Sequence, residues 1–350
     1  MIGLLLFAVT LVRFGNIEDG YRFGHLAMRI FERFPSRQLH PKVIYLFWVA
    51  IQTEKESFRS CLAPLWKSYK LGMKIGDIEI AMAAAVFHCT FRIYLGDHVD
   101  EIFKVANKLA NLCLSYGQEK VHTLACTAMQ ACQNLQGKSM DPLTFTGSFL
   151  NEKESIESLK KHNLKSLTKV IFHCKHMVAT LMNEYKAADA LYRNNKKLFA
   201  DFILPPITIY FNFHSALVSI GLVRDESSSW KKRIRLGEAR RWYNKLERLL
   251  KHCPENITNK LYLIEAEMEF CRGRYSTALL KYKKSISYAQ RESFVSDHAL
   301  ACEKAGRMLR HAGRNQESVQ YFEQARTQYS LWGALLKVQQ MDKLIASSKG

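Results

Sequence analysis

Proline is scarce in this chain, with seven residues in 350. Proline interrupts helix interiors, so long helical stretches are free to form. Alternating apolar–polar blocks of the strand type are also missing, and the chain reads as nearly all-helical. Signatures of nucleotide and metal chemistry are absent. There is no G-x-x-x-x-G-K-[ST] to cradle a phosphate, no G-x-G-x-x-G, no H-E-x-x-H and no protein-kinase set.

No C-x-x-C occurs among nine cysteines (Cys61, Cys89, Cys113, Cys126, Cys132, Cys174, Cys253, Cys271, Cys302). An odd, scattered set within apolar helical text points to reduced thiols rather than a disulfide framework. The expected location is therefore cytoplasmic, where the Asn256-Ile257-Thr258 sequon stays unused. Long apolar runs are lacking too. The opening MIGLLLFAVTLVRFG holds about a dozen apolar residues, short of the roughly 18–20 that span a bilayer. No Lys or Arg precedes that run, and a buried first helix is expected rather than a signal peptide or anchor. Such a helix lacks the polar face of a capping repeat, as expected of a truncated chain with a missing neighbour. ITIYFNFHSALVSIGLV, after Pro205 and Pro206, is about 17 residues long and carries His214 at its centre, so it reads as a core helix. No membrane partner is expected.

Acidic residues are in deficit. Asp plus Glu number 32 against 51 Lys plus Arg, for a net charge of +19. That balance favours acidic partners, although charges of both signs on solvated helix faces account for much of it. The densest basic text is Lys231, Lys232, Arg233, Arg235, Arg240 and Arg241 after a serine run. It reads as a mobile loop feeding a solvated helix start, with a nucleic-acid patch or nuclear-import tag as the rival.

What is present is repetition. From Pro254 to Leu344 two phrases each read as helix, Gly-containing turn, helix. Gly273 aligns with Gly313, Ala278 with Ser318, Tyr282 with Phe322 and Ser285 with Ala325, all 40 residues apart. Small residue, aromatic four later, small residue three further: this spacing lies along one helix face. Upstream, Gly76 precedes Ala81 by five, and Asn183 precedes Ala188 by five, with Tyr192 four beyond. Such hairpins bury their apolar faces only by stacking. The expected fold is an all-α, tetratricopeptide-like α-solenoid of about sixteen helices in eight hairpins, although the usual period of such arrays is about 34.

In chain order, residues 1–136 read as N-terminal hairpins, 137–151 as a connecting loop, and 152–346 as C-terminal repeats. The first part includes a helix from Asp19 with Phe23, Leu26, Ala27, Ile30, Phe31 and Phe34 on one face, then a long apolar helical stretch over 42–75, whole or broken at QTEKES, with Trp48 and Trp66 inward. Asp97 is an expected N-cap before helices over 99–115 and 119–136. Gly137, Pro142 and Gly147 mark the loop. Helices are expected over 152–182 and 185–201. His173, Cys174 and His176 are the nearest metal-like text, but nothing nominates further ligands.

The C-terminal phrases resemble the helical repeat region of large predicted AAA/STAND-type ATPase signalling proteins. GYRFGHLAMRIF, GMKIGDIEIAMAAAVFHCTFRIYLGDHVDEI, AMQACQNLQGK and LTFTGSFLNE extend that resemblance over nearly the whole chain. Its most specific signal is the closing Tyr329-x-x-Trp332-Gly333-Ala334, with Lys337 beyond. Leu309 stands in place of an aromatic and Asn183 in place of a glycine. In such proteins kinase-like and ATPase domains precede this region, and GAF, histidine kinase or cyclase domains follow; none is present here. The resemblance implies a non-catalytic interaction or signal-relay scaffold, without cofactor or metal, that takes a protein, peptide or neighbouring domain on a concave surface. A nucleic-acid-binding array driven by basic charge is the alternative. Gly273, Ala278, Tyr282, Tyr329, Trp332, Gly333 and Ala334 are expected to be structural, with the last four locking the final hairpin and influencing only residues after about 254.

Overall fold

A computed structural model describes residues 1–199 and 205–349. Its basic unit is shorter than the 40-residue period. Left-handed backbone recurs at Gly76, Gly96, Gly117 and Gly137, then Asn163 and Asn183, then Gly273, Ser293, Gly313 and Gly333. Within each run these positions are twenty or twenty-one residues apart. All but Gly76, where the bonds converge on Gly72 O, end a helix by a paired hydrogen-bond motif that satisfies the last carbonyls. At Gly273, for example, Gly273 N donates to Phe270 O (2.9 Å) and Arg274 N to Glu269 O (3.0 Å). The 40-residue hairpin is two such units. Asn183 adopts left-handed backbone (φ 64°), which asparagine tolerates better than most residues.

Eighteen α-helices lie among the described residues, with no strand. In the first part they are α1 (Ile2–Arg13), α2 (Ile17–Arg33), α3 (His40–Ala50), α4 (Leu62–Ile75), α5 (Ile78–Leu95), α6 (Val99–Ser115) and α7 (Glu119–Gln136). After the loop come α8 (Glu152–Lys161), α9 (Lys165–Leu181), α10 (Tyr185–Asn194), α11 (Lys196–Phe199), α12 (Pro205–Val223) and α13 (Ser229–Glu247). The regular end comprises α14 (Pro254–Cys271), α15 (Tyr275–Arg291), α16 (Val295–His311), α17 (Asn315–Trp332) and α18 (Leu335–Lys349).

Several expectations need correction. The 42–75 stretch does break at QTEKES, as a 3₁₀ turn at Gln52–Glu54 and a loop, but Trp48 and Trp66 are only half-buried. Residues 152–182 divide at Asn163. Asp97 caps nothing: the N-cap of α6 is His98, and Asp97 pairs with Arg92 (2.8 Å) and Arg59 (3.4 Å). The basic text at 231–241 is helical, not a loop, because Ser228 starts α13 before it. The first helix buries one stripe, Leu5, Ala8 and Val12, and leaves Phe7 and Phe14 exposed. Residues 200 and 201, expected to be helical, lie outside the described residues.

The helices form two layers. The inner layer runs α1, α3, α5, α7, α9, α12, α14, α16, each packed on the next; α2, α4, α6, α10, α13, α15 and α17 cover it from outside. Alternate positions in the stack explain why the apolar text of α5 and α12 is so continuous. Both are long and apolar enough to cross a membrane, yet 61% and 89% of their apolar windows are buried among neighbouring helices. The 137–151 loop is tied down by buried Asn134, which donates to Pro142 O (3.0 Å) and Thr144 O (2.9 Å). One apolar core runs on both sides of it, from Phe58 to Met341.

The solenoid also closes on itself. α16 packs on α5 and α18 on α7. Tyr210 Oη and Ser296 Oγ both donate to Tyr94 O (2.7 and 2.8 Å), and Asn256 Oδ1 accepts from Phe58 N (3.1 Å). The concave face is therefore filled by Tyr94, Tyr210, Phe213 and Phe294, and among the described residues it offers no peptide groove. Nearest-neighbour stacking alone did not foretell this, because closure depends on superhelical twist.

Candidate functional site

Closure leaves the outer side. There the outer helices α10 and α13 leave between them a cleft with a volume of about 430 Å³, within the range of ligand pockets. Next to it α11 packs on α9, and Phe199 stacks on Phe211 of α12 at 4.5 Å. His176 of α9 and Ser215 and Ser219 of α12 line it, all buried. Tyr192 of α10 and Trp242 of α13 add aromatic walls, their rings edge to face at 5.5 Å.

The cleft interior is charge-balanced. Asp189 Oδ2 accepts from Arg193 Nε at 2.8 Å and pairs with Arg235 at 3.1 Å; Glu238 pairs with the same two arginines at 3.0 and 3.2 Å. This quartet ties α10 to α13. Burial pushes the His176 imidazole down to about 4, and Asp189 opposes this only in part, so the ring is neutral at pH 7. Ser215 Oγ and His176 Nδ1 are buried without a hydrogen-bond partner among the described residues. Lys196, Arg241 and Lys245 also line the cleft and are exposed. No carboxylate among the described residues lies within ion-pair distance of Lys196 or Arg241. Lys245 Nζ rests 4.1 Å over the Trp242 ring.

Two further hollows adjoin. One of about 280 Å³, beside Asn195 and Lys197, carries Lys160 and Lys165. The other, about 800 Å³, shares Lys245 and adds Arg248 and Lys251. Together the three are lined by nine Lys and Arg against three carboxylates, Asp189, Glu238 and Glu247. They form a basic trough with an aromatic centre.

The residues singled out in the sequence lie elsewhere. Ala278, Tyr282, Tyr329, Trp332 and Ala334 are fully buried. The Tyr282 hydroxyl donates to Glu267, and Tyr329 Oη to Glu303 (2.7 Å). Tyr329 and Trp332 stack at 6.4 Å. Gly273 and Gly333 end α14 and α17 with positive φ. Beside them lies a buried charge cluster that the sequence did not disclose. Burial alone would raise the Glu303 carboxyl, but Lys337, Arg307 and Lys304 reverse this and hold it well below the usual range. Lys337 Nζ, also fully buried, lies 2.7 Å from Glu303 Oε2 and donates to Leu181 O (2.7 Å). Asn183 Nδ2 donates to Glu303 Oε1 (3.0 Å). The cluster is a structural clasp, remote from the trough.

His173 and His176 are separated in role. His173 Nδ1 lies 2.8 Å from Tyr94 Oη in the core, while His176 reaches the cleft. Burial pushes the Cys174 thiol up to about 12. Among the described residues, no group of three His, Cys, Asp or Glu is arranged to hold a metal. Of the basic residues singled out, Arg241 lines the cleft, Arg235 supports it, and Lys231, Lys232 and Arg233 point to solvent.

Fold and site together define a closed helical-repeat protein with an outward-facing basic trough. No protein-family model and no curated protein matches the chain. Among solved structures, a "circular tandem repeat protein with novel repeat topology and enhanced subunit contact surfaces" aligns over 99% of this chain and 94% of that chain. The identity is 8% and the TM-score 0.24, values that carry no argument.

Proposed function

We propose that the protein is a non-catalytic scaffold that binds an acidic peptide segment of a partner protein along the trough of α9–α13. One observation carries the reading: nine cations against three carboxylates line three adjoining hollows, on the side of the molecule that closure leaves open. Unbalanced surface charge of one sign attracts and orients a partner of the other. A peptide is favoured over nucleic acid because in the central hollow Arg193 and Arg235 are already engaged by Asp189 and Glu238 and present no free fork to a phosphate. Its aromatic rings also pack on one another and beneath Lys245 instead of offering open faces for base stacking. The closing Tyr329-x-x-Trp332-Gly333-Ala334 supports a place within a cytoplasmic, ATPase-coupled signalling assembly, with the acidic segment belonging to a neighbouring domain or protein.

Fluorescence polarisation with a Glu-rich peptide, a Lys-rich peptide and a single-stranded DNA of equal charge tests this. The Glu-rich peptide is expected to bind, and the triple variant Lys196→Gln, Arg241→Gln, Lys245→Gln to weaken it at least tenfold. Tighter binding of DNA than of the acidic peptide, lost in the same variant, would move the site to the nucleic-acid reading.

A further inference from the structure

We infer that the central hollow of the trough is an anchor pocket for an unphosphorylated tyrosine side chain within the acidic segment. The inference rests on the acidic-peptide reading and specifies its anchor residue.

The chemistry of the hollow differs from that of the trough around it. At its rim, Lys196, Arg241 and Lys245 are exposed, and no carboxylate among the described residues pairs with them. Inside, the charges cancel, because Asp189 and Glu238 are both engaged by Arg193 and Arg235. The walls are aromatic: Tyr192 and Trp242 already pack edge to face, and a third ring set against their outer edges extends that packing. The floor is neutral and polar. Ser215 Oγ and His176 Nδ1 are buried there with no hydrogen-bond partner among the described residues, a costly state for polar atoms. A serine hydroxyl turns among three staggered positions about χ1, so Ser215 can meet a donor or acceptor that arrives in the hollow.

A ring with one neutral hydroxyl at its far end matches walls and floor together. An aliphatic side chain leaves the floor atoms unpaired, and a carboxylate brings a charge where Asp189 and Glu238 already stand. A phosphotyrosine fits the floor poorly: its dianion would lose water over a neutral imidazole, while the arginines at that depth, Arg193 and Arg235, are already engaged by Asp189 and Glu238. The main chain on either side of the anchor would then lie beside Lys196, Arg241 and Lys245, where flanking Asp or Glu side chains are welcome. Phosphorylation of the anchor would thus release the partner even though it adds the sign of charge the trough attracts.

The test uses the full chain and four Glu-rich peptides that differ at one central position: tyrosine, phenylalanine, alanine or phosphotyrosine. Trp242 fluorescence and polarisation report binding. Tyrosine is expected to bind at least tenfold tighter than alanine and at least tenfold tighter than phosphotyrosine, with phenylalanine between. In Ser215→Ala, whose melting temperature verifies its fold, the tyrosine and phenylalanine peptides should converge. Equal affinity for tyrosine and alanine overturns the anchor while leaving the acidic trough standing. Tighter binding of phosphotyrosine overturns the neutral pocket. Failure of all four peptides overturns the trough and the anchor with it.

Discussion

Trp332 shows how much a single side chain carries here. It is 1% exposed and stacked on Tyr329, and Trp332→Ala is expected to cost about 3–5 kcal/mol in denaturant unfolding. Glu303 carries a comparable load through charge. Glu303→Gln would leave Lys337 and Arg307 facing each other in the interior without their counter-ion, a loss of about 3–5 kcal/mol. Histidines set the response to acid. Burial lowers His173 to about 3 and His176 to about 4, from 6.5. Mutual repulsion adds to burial at His173. The unfolded imidazoles take protons near pH 6.5 and the folded ones do not until far lower. Their contribution to stability is therefore fully present above pH 6.5 and declines as pH falls below it. The slope is about 1.4 kcal/mol per pH unit for each histidine, until the folded values are reached. Urea midpoints between pH 7.5 and 4.5 measure this; replacing His176 with Gln should flatten the slope.

At the scale of one element, the helix-ending residue decides where each unit stops. Gly273 and Gly333 both take positive φ, and a Cβ at Gly273 meets open space. At Gly333 it would lie 2.9 Å from His98 Cε1 and 3.0 Å from Val99 Cγ2, because the end of α17 abuts the start of α6. Gly273→Ala should cost about 1–2 kcal/mol, the left-handed strain alone. Gly333→Ala should cost measurably more, and equal unfolding midpoints for the two variants would refute that close approach. The α13 helix shows the opposite tolerance at its start. Lys231, Lys232 and Arg233 are exposed, so changing all three to Gln should shift stability by less than about 1 kcal/mol.

For the whole molecule, closure changes how damage spreads. In an open array, loss of Trp332 would disturb only adjoining repeats. Here α18 rests on α7, and Lys337 reaches the carbonyl of Leu181 at the end of α9. Hydrogen exchange on Trp332→Ala should therefore lose protection in α7 and α9 as well as in α16–α18. Full retention of protection in α7 and α9 would mean that the C-terminal end moves independently of the rest.

The helical class, the 40-residue hairpin and the inward residues Ala278, Tyr282, Ser318 and Phe322 were legible in the sequence, because periodicity within one helix is a local property. So were helices α6 and α7. The twenty-residue unit was masked wherever Asn163 or Ser293 occupied the turn in place of glycine. The Tyr329–Trp332 text stood out by its rarity, but its neighbour Glu303 looked like any surface acid; only packing against Lys337 made it a buried clasp. Likewise Tyr192 read as a repeat aromatic, His176 as half of a metal-like pair, and Trp242 not at all. Their assembly with Ser215 depends on α9, α10, α12 and α13 meeting in space. The sequence by itself determined which residues form helices and which faces turn inward. Superhelical twist, a sum of small rotations over many packed pairs, decided that the concave face closes and that the basic charge gathers in an outer trough.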